Sequence, residues 1–329
     1  MFNRVKTLVI FLTLMAVSAM PTFAWDEVGH KITAYIAWQQ MRPDVRARVI
    51  KTLMAAPEDA QLSTFYSAFG GGRSEDARQR EFFMLMATWP DIIRDRNFPV
   101  RFKNYAHSDW HYADTFWQIK DGQVVPVPDA EASGKAMDKI ADFDKLIRSN
   151  ASDAEKAVAI AWLEHLIGDI HQPLHAESLV TPDNPKGDQG GNLFLLTPKG
   201  TPRDKQENLH WFWDSIAIRY QPNTKDLCDA DYIDPIGNEI MKQYPYDKVK
   251  GELADGNFSQ WKDESYRIAS TEVYKDLTMY EMPSDKYKKK AFQIAQRRLA
   301  LAGYRMADEF NSVFAGGPMP TTLPAPAHE

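Results

Sequence analysis

Apolar side chains return every three or four residues along most of the chain, the spacing that collects them on one face of an α-helix. Val28, Ile32, Tyr35 and Ile36 mark a first helix over residues 25–41. A second follows over 43–56, where Pro43 suits a first helical turn. The glycine triplet at 70–72 interrupts the pattern, and helices over 74–88 and 134–150 resume it. Ser152 and Glu155 form a capping box, and the helix they open runs through Val158, Leu163, Leu166 and Ile167. Further on, residues 259–276 have helical spacing, and Ser284 caps a long helix marked by Phe292, Ile294, Leu299, Leu301, Met306 and Phe310. Extended structure is scarce. Pro126 and Pro128 make 124–128 a connection or an edge piece, and 193–197 reads as a short strand or hairpin after a polar loop. The predicted fold is mainly α-helical, a single domain over 25–315 with a Gly/Pro-rich disordered tail over 316–329.

Composition narrows the chemistry. With 329 residues, 44% of them hydrophobic, the chain can bury one large core, and no stretch reads as an internal linker. Its single cysteine, Cys228, excludes an internal disulfide and a cysteine-rich metal site, so any metal must be held by His, Asp and Glu. Those ligands suit zinc, with manganese or iron behind it. Arg4 and Lys6, an apolar run over 8–20 and the small residues flanking Phe23 make residues 1–24 a signal peptide, cleaved before Trp25. The competing reading, a membrane anchor, needs an apolar run of about 20 residues. The expectation is export to the periplasm or the medium without stable membrane association. Loss of Arg4 and Lys6, with no acid among the first 24 residues, takes the formal net charge from −6 to −8. So acidic a chain does not coat nucleic acid through a broad basic face; charge facing a phosphate must be concentrated locally. Lys286, Lys288, Lys289 and Lys290 read as a solvated helix face.

The candidate chemistry centres on residues 162–175. His165 and Asp169 stand four apart near a helix end and so project from one face, while Pro173 ends the helix and turns His175 another way. Glu164 and His171 point off that face and read as supporting or surface residues. His210 and Asp214 repeat the four-residue spacing amid Trp211, Phe212 and Trp213. Asp91 sits at a turn after Pro90 with Arg94 one turn on, and His107 and His111 lie in a loop where periodicity does not choose between them. A first helical turn could bring His30 back beside Trp25, whose free amine, once exposed by cleavage, is a usable nitrogen ligand. The glycine pair before Asn192 permits close backbone approach to a ligand.

Trp25 with His30, Trp-Pro-Asp-x-x-Arg, His-Tyr-x-Asp, the His165–His175 motif, Asp-x-Gly-Gly-Asn and Asn-Leu-His-x-x-Trp-Asp together resemble the zinc-dependent type I nucleases. Those single-strand-specific enzymes also act as 3′-nucleotidases. Trp261-x-x-Glu264-Ser265 and the stretch around Arg305 are similar to their later helices. The resemblance implies the fold shared with zinc-dependent phospholipase C, and three Zn2+ at the bottom of a cleft. One zinc would take Asp91, His111, His165 and Asp169; a second the Trp25 amine and carbonyl, His30 and the bridging Asp169; a third His175, His210 and Asp214. It selects His111 over His107. It implies that Arg94 binds phosphate, that Tyr112 and Asp114 stack on and hydrogen-bond a base, and that Asn192 lies near the substrate.

The expected activity is hydrolysis of RNA and single-stranded DNA to 5′-phosphorylated products, and of 3′-nucleotides, by a monomer in which paired cations activate a water against phosphorus. Two rivals carry different consequences. A zinc-dependent phospholipase C would act on lipid head groups, and a non-catalytic periplasmic zinc-binding protein would have no use for Arg94, Tyr112 and Asp114.

Overall fold

The computed structural model describes residues 25–66, 72–128, 130 and 133–316. The expected signal peptide, two of the three glycines at 70–72 and the tail beyond Gly316 lie outside the described residues. Helices run in the order α1 (Glu27–Gln40), α2 (Pro43–Met54), α3 (Glu75–Met86), α4 (Trp89–Ile92), α5 (Pro99–Tyr105), α6 (Ala136–Arg148) and α7 (Asp153–Asp169). They continue with α8 (Leu209–Asp214), α9 (Ile216–Tyr220), α10 (Asp229–Gln243), α11 (Tyr246–Val249), α12 (Phe258–Ile268) and α13 (Asp285–Phe314). Side-chain caps start the functional ones: Asp26 accepts from the Gly29 N–H, Asn208 from Trp211 and Ser284 from Tyr287. At α7 both halves of the capping box form.

α7 is the axis of the bundle. Every residue from Ala159 to Asp169 is buried, because α1, α2, α4, α6 and α13 pack around it. A helix apolar on nearly all sides belongs in the interior. Seven tryptophans, including Trp25, Trp89 and Trp162, are fully buried around this axis and fill the core. Among the described residues no helix is long and apolar enough to cross a membrane.

The sheet takes in the edge piece read over 124–128 but not the strand expected over 193–197. β1 (Thr115–Lys120) pairs antiparallel with β2 (Gln123–Pro126) and parallel with β3 (Glu177–Leu179), giving the order β2–β1–β3. Asp121 and Gly122, both at positive φ, close the β1–β2 hairpin. Pro126 sits on the edge strand, as its missing donor requires. The strand expected over 193–197 reduces to one bridge between Leu195 and Asn208, with Leu196 N–H donating to Glu207. Its other backbone bonds, from Leu209 to the Phe194 carbonyl and from Tyr280 to the Leu195 carbonyl, tie it to a helix start and a loop and not to a second strand.

Candidate metal centre and cleft

The end of α7 gathers residues from three other segments. His165 Nε2 and His111 Nδ1 each lie 3.3 Å from Asp169 Oδ2, and His30 Nε2, from α1, lies 3.3 Å from Asp169 Oδ1. Asp91, on the single turn of α4, brings Oδ1 to 3.9 Å from both His111 and His165. The His30 ring stacks on His165 at 4.0 Å. That approach needs Gly168, since a Cβ there would stand 2.8 Å from His30 Nδ1. The second group sits one turn further along the chain. His175 lies on the turn after Pro173, and His210 and Asp214 share a face of α8. His210 Nε2 is 3.3 Å from Asp214 Oδ2, and Gln172 donates to Asp214 Oδ1 at 2.6 Å. Trp25 is wholly buried at this junction, and the next N–H, of Asp26, donates to the Asp214 carbonyl at 3.0 Å.

Hydrogen-bond partners fix the histidine tautomers. A carbonyl oxygen only accepts, so each ring nitrogen facing one must carry the hydrogen. His165 Nδ1 faces the Ala87 carbonyl at 2.8 Å, His175 Nδ1 that of His111 at 2.6 Å, and His210 Nδ1 that of Gly190 at 2.6 Å. Their Nε2 atoms therefore present bare lone pairs. Those of His175 and His210 point at each other across 3.1 Å with no hydrogen between them. Around them, Asp169 Oδ1 and Oδ2, Asp91 Oδ1, Asp214 Oδ2 and both His30 nitrogens are buried without a hydrogen-bond partner. Burial, helped by the neighbouring histidines, drives His30 down to about 4 and His111 and His175 well below the usual imidazole range, so the rings are neutral. Burial also pushes Asp169 up to about 7 and Asp214 well above the usual carboxylate range. Lone pairs and buried acids converge here, and a cation would stabilise them in place of the protons that burial drives onto the acids.

Three sets of these donors each lie within 4.8 Å of one another: His30, His165 and Asp169; Asp91, His111 and His165; His175, His210 and Asp214. His107, by contrast, is stacked on Trp110 at 3.7 Å and belongs to none of them. The off-face residues are off the cluster, yet neither is at the surface. His171 is fully buried, its Nδ1 facing the Ile167 carbonyl and its Nε2 facing Arg305 Nη1 at 2.8 Å. Glu164 is fully buried with neither oxygen partnered, and burial pushes its carboxyl well above the usual carboxylate range.

A cleft of about 840 Å3 opens above His175 and His210. Arg94, Tyr112, Asp114 and Asn192 line it as the sequence led one to expect. Arg94 Nη2 lies 3.5 Å from Asp91 Oδ1, which ties the cationic wall to the donor cluster. Burial raises Asp114 to about 7, while Asn192 spends its Nδ2 on the Gln189 carbonyl of its own loop at 2.8 Å. Arg96, Phe102, Phe116 and Lys186 also line the cleft, and no periodicity marks them in the sequence. Nor does the sequence single out Gln172 as the donor to Asp214, although it stands inside the central motif.

A helical bundle that closes three buried His/Asp donor sets beneath a cationic and aromatic cleft defines a class, the metal-dependent phosphoesterases. The family follows from comparison with known proteins. Residues 25–315 match the S1/P1 Nuclease family model, and the chain belongs to that family. It is 24% identical to Nuclease S1 of Aspergillus oryzae (strain ATCC 42149 / RIB 40) over 303 residues, covering 88% of this chain and 91% of the relative. It is 26% identical to Endonuclease 5 of Arabidopsis thaliana over 326 residues, 89% and 92% of the two chains. Against Nuclease P1 of Penicillium citrinum it is 20% identical over 306 residues, 88% and 97% of the two. The chain is a hydrolase of phosphodiester bonds.

Proposed function

We propose that the chain is exported, loses residues 1–24, and acts as a monomeric zinc-dependent endonuclease. It hydrolyses phosphodiester bonds of RNA and single-stranded DNA to 5′-phosphorylated products and removes phosphate from 3′-nucleotides. The observation that carries this reading is the facing pair of His175 and His210 Nε2 lone pairs at 3.1 Å, each fixed by an Nδ1 hydrogen on a carbonyl. Such a pair is repulsive unless a cation stands between the two nitrogens.

Asp91, His111, His165 and Asp169 would hold one zinc; the Trp25 amine and carbonyl, His30 and Asp169 a second; and His175, His210 and Asp214 a third. Zinc held there would lower the pKa of water to about 7 and polarise phosphoryl oxygens. The chain's own residues do the rest. Arg94, steadied by Asp91, binds a nonbridging phosphate oxygen and offsets charge building on phosphorus. Tyr112 offers a ring face to a base, and Asp114 hydrogen-bonds its edge, which favours unpaired bases whose faces are free. Asn192 braces the glycine loop whose Gly190 carbonyl orients His210.

The test is hydrolysis of single-stranded DNA, RNA, 3′-nucleotides and phosphatidylcholine by mature protein, before and after chelation and zinc return. Nucleic-acid cleavage that disappears with chelation and returns with zinc is expected. Cleavage of phosphatidylcholine alone would assign the chain a phospholipase activity instead, and bound zinc without any hydrolysis would leave a binding role.

A further inference from the structure

We propose that Phe102 and Arg96 form a second base-stacking ledge in the cleft, holding the nucleotide next to the one placed at Tyr112 and Asp114. The inference rests on the nuclease reading and extends its substrate from a single nucleotide to a strand. Arg96 leaves α4 five residues after Asp91, and Phe102 lies on α5; both line the same cleft as Arg94 and Tyr112. The exposed Arg96 guanidinium lies over the Phe102 ring, 5.3 Å from its centre. Beside this pair Arg101 lies over Phe98 at 4.3 Å, with Phe98 45% and Val100 60% exposed. A half-buried ring in the cleft wall with an exposed cation over it suits a ligand that alternates flat rings with negative links.

The ledge is held stiffly. Tyr105 and Asn104 at the end of α5 both donate to Asp59, at 2.7 and 2.8 Å, and the Tyr105 ring packs on Trp89 at 5.6 Å. Trp89 opens the same turn that carries Asp91, so ledge and donor cluster share one support. A preformed platform spends little ordering entropy on binding. Charge agrees with the assignment: in a chain of net charge −6, Arg94, Arg96 and Lys186 gather on this cleft. A base can stack on the guanidinium plane that the Phe102 ring backs, and only a single strand offers such a face.

The experiment compares wild type with Phe102→Ala, Phe102→Trp and Arg96→Ala. The first readout is kcat/KM on a ten-nucleotide DNA strand divided by that on a 3′-mononucleotide. The second is binding of a fluorescent phosphorothioate-linked ten-nucleotide strand, followed by anisotropy. Phe102→Ala is expected to lower the ratio about ten-fold, within the range for one base–aromatic stack, with matching loss of strand affinity. Phe102→Trp should restore both, and Arg96→Ala should show a smaller loss that shrinks at high salt. An unchanged ratio and unchanged strand affinity would overturn the ledge. If wild type cleaves none of these substrates, the nuclease reading falls, and the ledge then stands or falls on strand binding alone.

Discussion

Two buried clusters of histidine, acid and arginine flank the end of α7, and they differ in one respect. Around His171, Arg305 grips Glu264 with two nitrogens at 2.8 and 2.9 Å and also donates to the Glu252 and Leu253 carbonyls. Arg298 reaches Glu264, Ser265 and the His171 carbonyl, and Ser265 donates to Ile170. Each polar group there finds its partner inside the chain. Around Asp169 the donors and acceptors are just as buried, yet acceptor faces acceptor, and atoms of Asp91, Asp169 and Asp214 remain unpartnered. A buried histidine beside an acid is therefore no metal signal in itself. The signal is a convergence of lone pairs that the chain leaves uncompensated. The His171 cluster clamps the helix end, and the Asp169 cluster uses the position so fixed.

The difference can be pressed from both sides. Asp169→Asn neutralises a carboxylate whose Oδ1 faces His30 and whose Oδ2 faces His111 and His165, and phosphodiesterase turnover is expected to fall at least about 100-fold. Unfolding of the metal-free variant should differ little from metal-free wild type, because an amide at Asp169 can keep the polar contact with His30 while relieving a buried acid. Next in size, residues left ahead of Trp25 would convert its amine to an amide. Metal affinity measured by chelator competition is expected to drop at least about 10-fold at one site only.

On the structural side, Arg305→Met takes two hydrogen bonds from Glu264, leaving it the bond from Arg298, and removes the donor facing His171, and denaturant unfolding should register a loss of about 3 kcal/mol with the number of bound metals unchanged. The same cluster has an acid limit. Burial alone would raise Glu264, but the hydrogen bonds and charge of Arg305 and Arg298 outweigh it and hold the carboxyl below 4.5. A depressed acid contributes its stability above the unfolded value and loses it as pH falls through the folded one. Wild type should therefore weaken below pH 4.5 more steeply than Arg305→Met, as read from unfolding midpoints. Smallest of all, Ser152→Ala opens the capping box at the far end of α7 and should cost about 1 kcal/mol with turnover unchanged.

What the sequence made legible was local. His165 with Asp169 and His210 with Asp214 are four-residue spacings on single helices, and the Ser152 capping box is a three-residue signal, so all three could be read directly. The joining of His30, Asp91, His111 and His165 spans four segments, and only the resemblance to a family foretold it. Glu164 and His171 were placed correctly off the metal-binding face, but not at depth, because α7 is packed on every side and has no solvent face to assign them to. The parallel pairing of β1 with β3 joins residues some sixty positions apart and left no local mark. Asp121-Gly122 is a local hairpin signal, and the edge piece read over 124–128 falls on β2, while β1 over 115–120 carried no expectation.

Anomalous scattering at the zinc edge, from crystals of mature protein beginning at Trp25, tests the central claim most directly. The expected result is three peaks: one among Asp91, His111, His165 and Asp169, one among Trp25, His30 and Asp169, and one among His175, His210 and Asp214. Ordered water bridging His175 and His210, with no metal peak at any of the three positions, would contradict it.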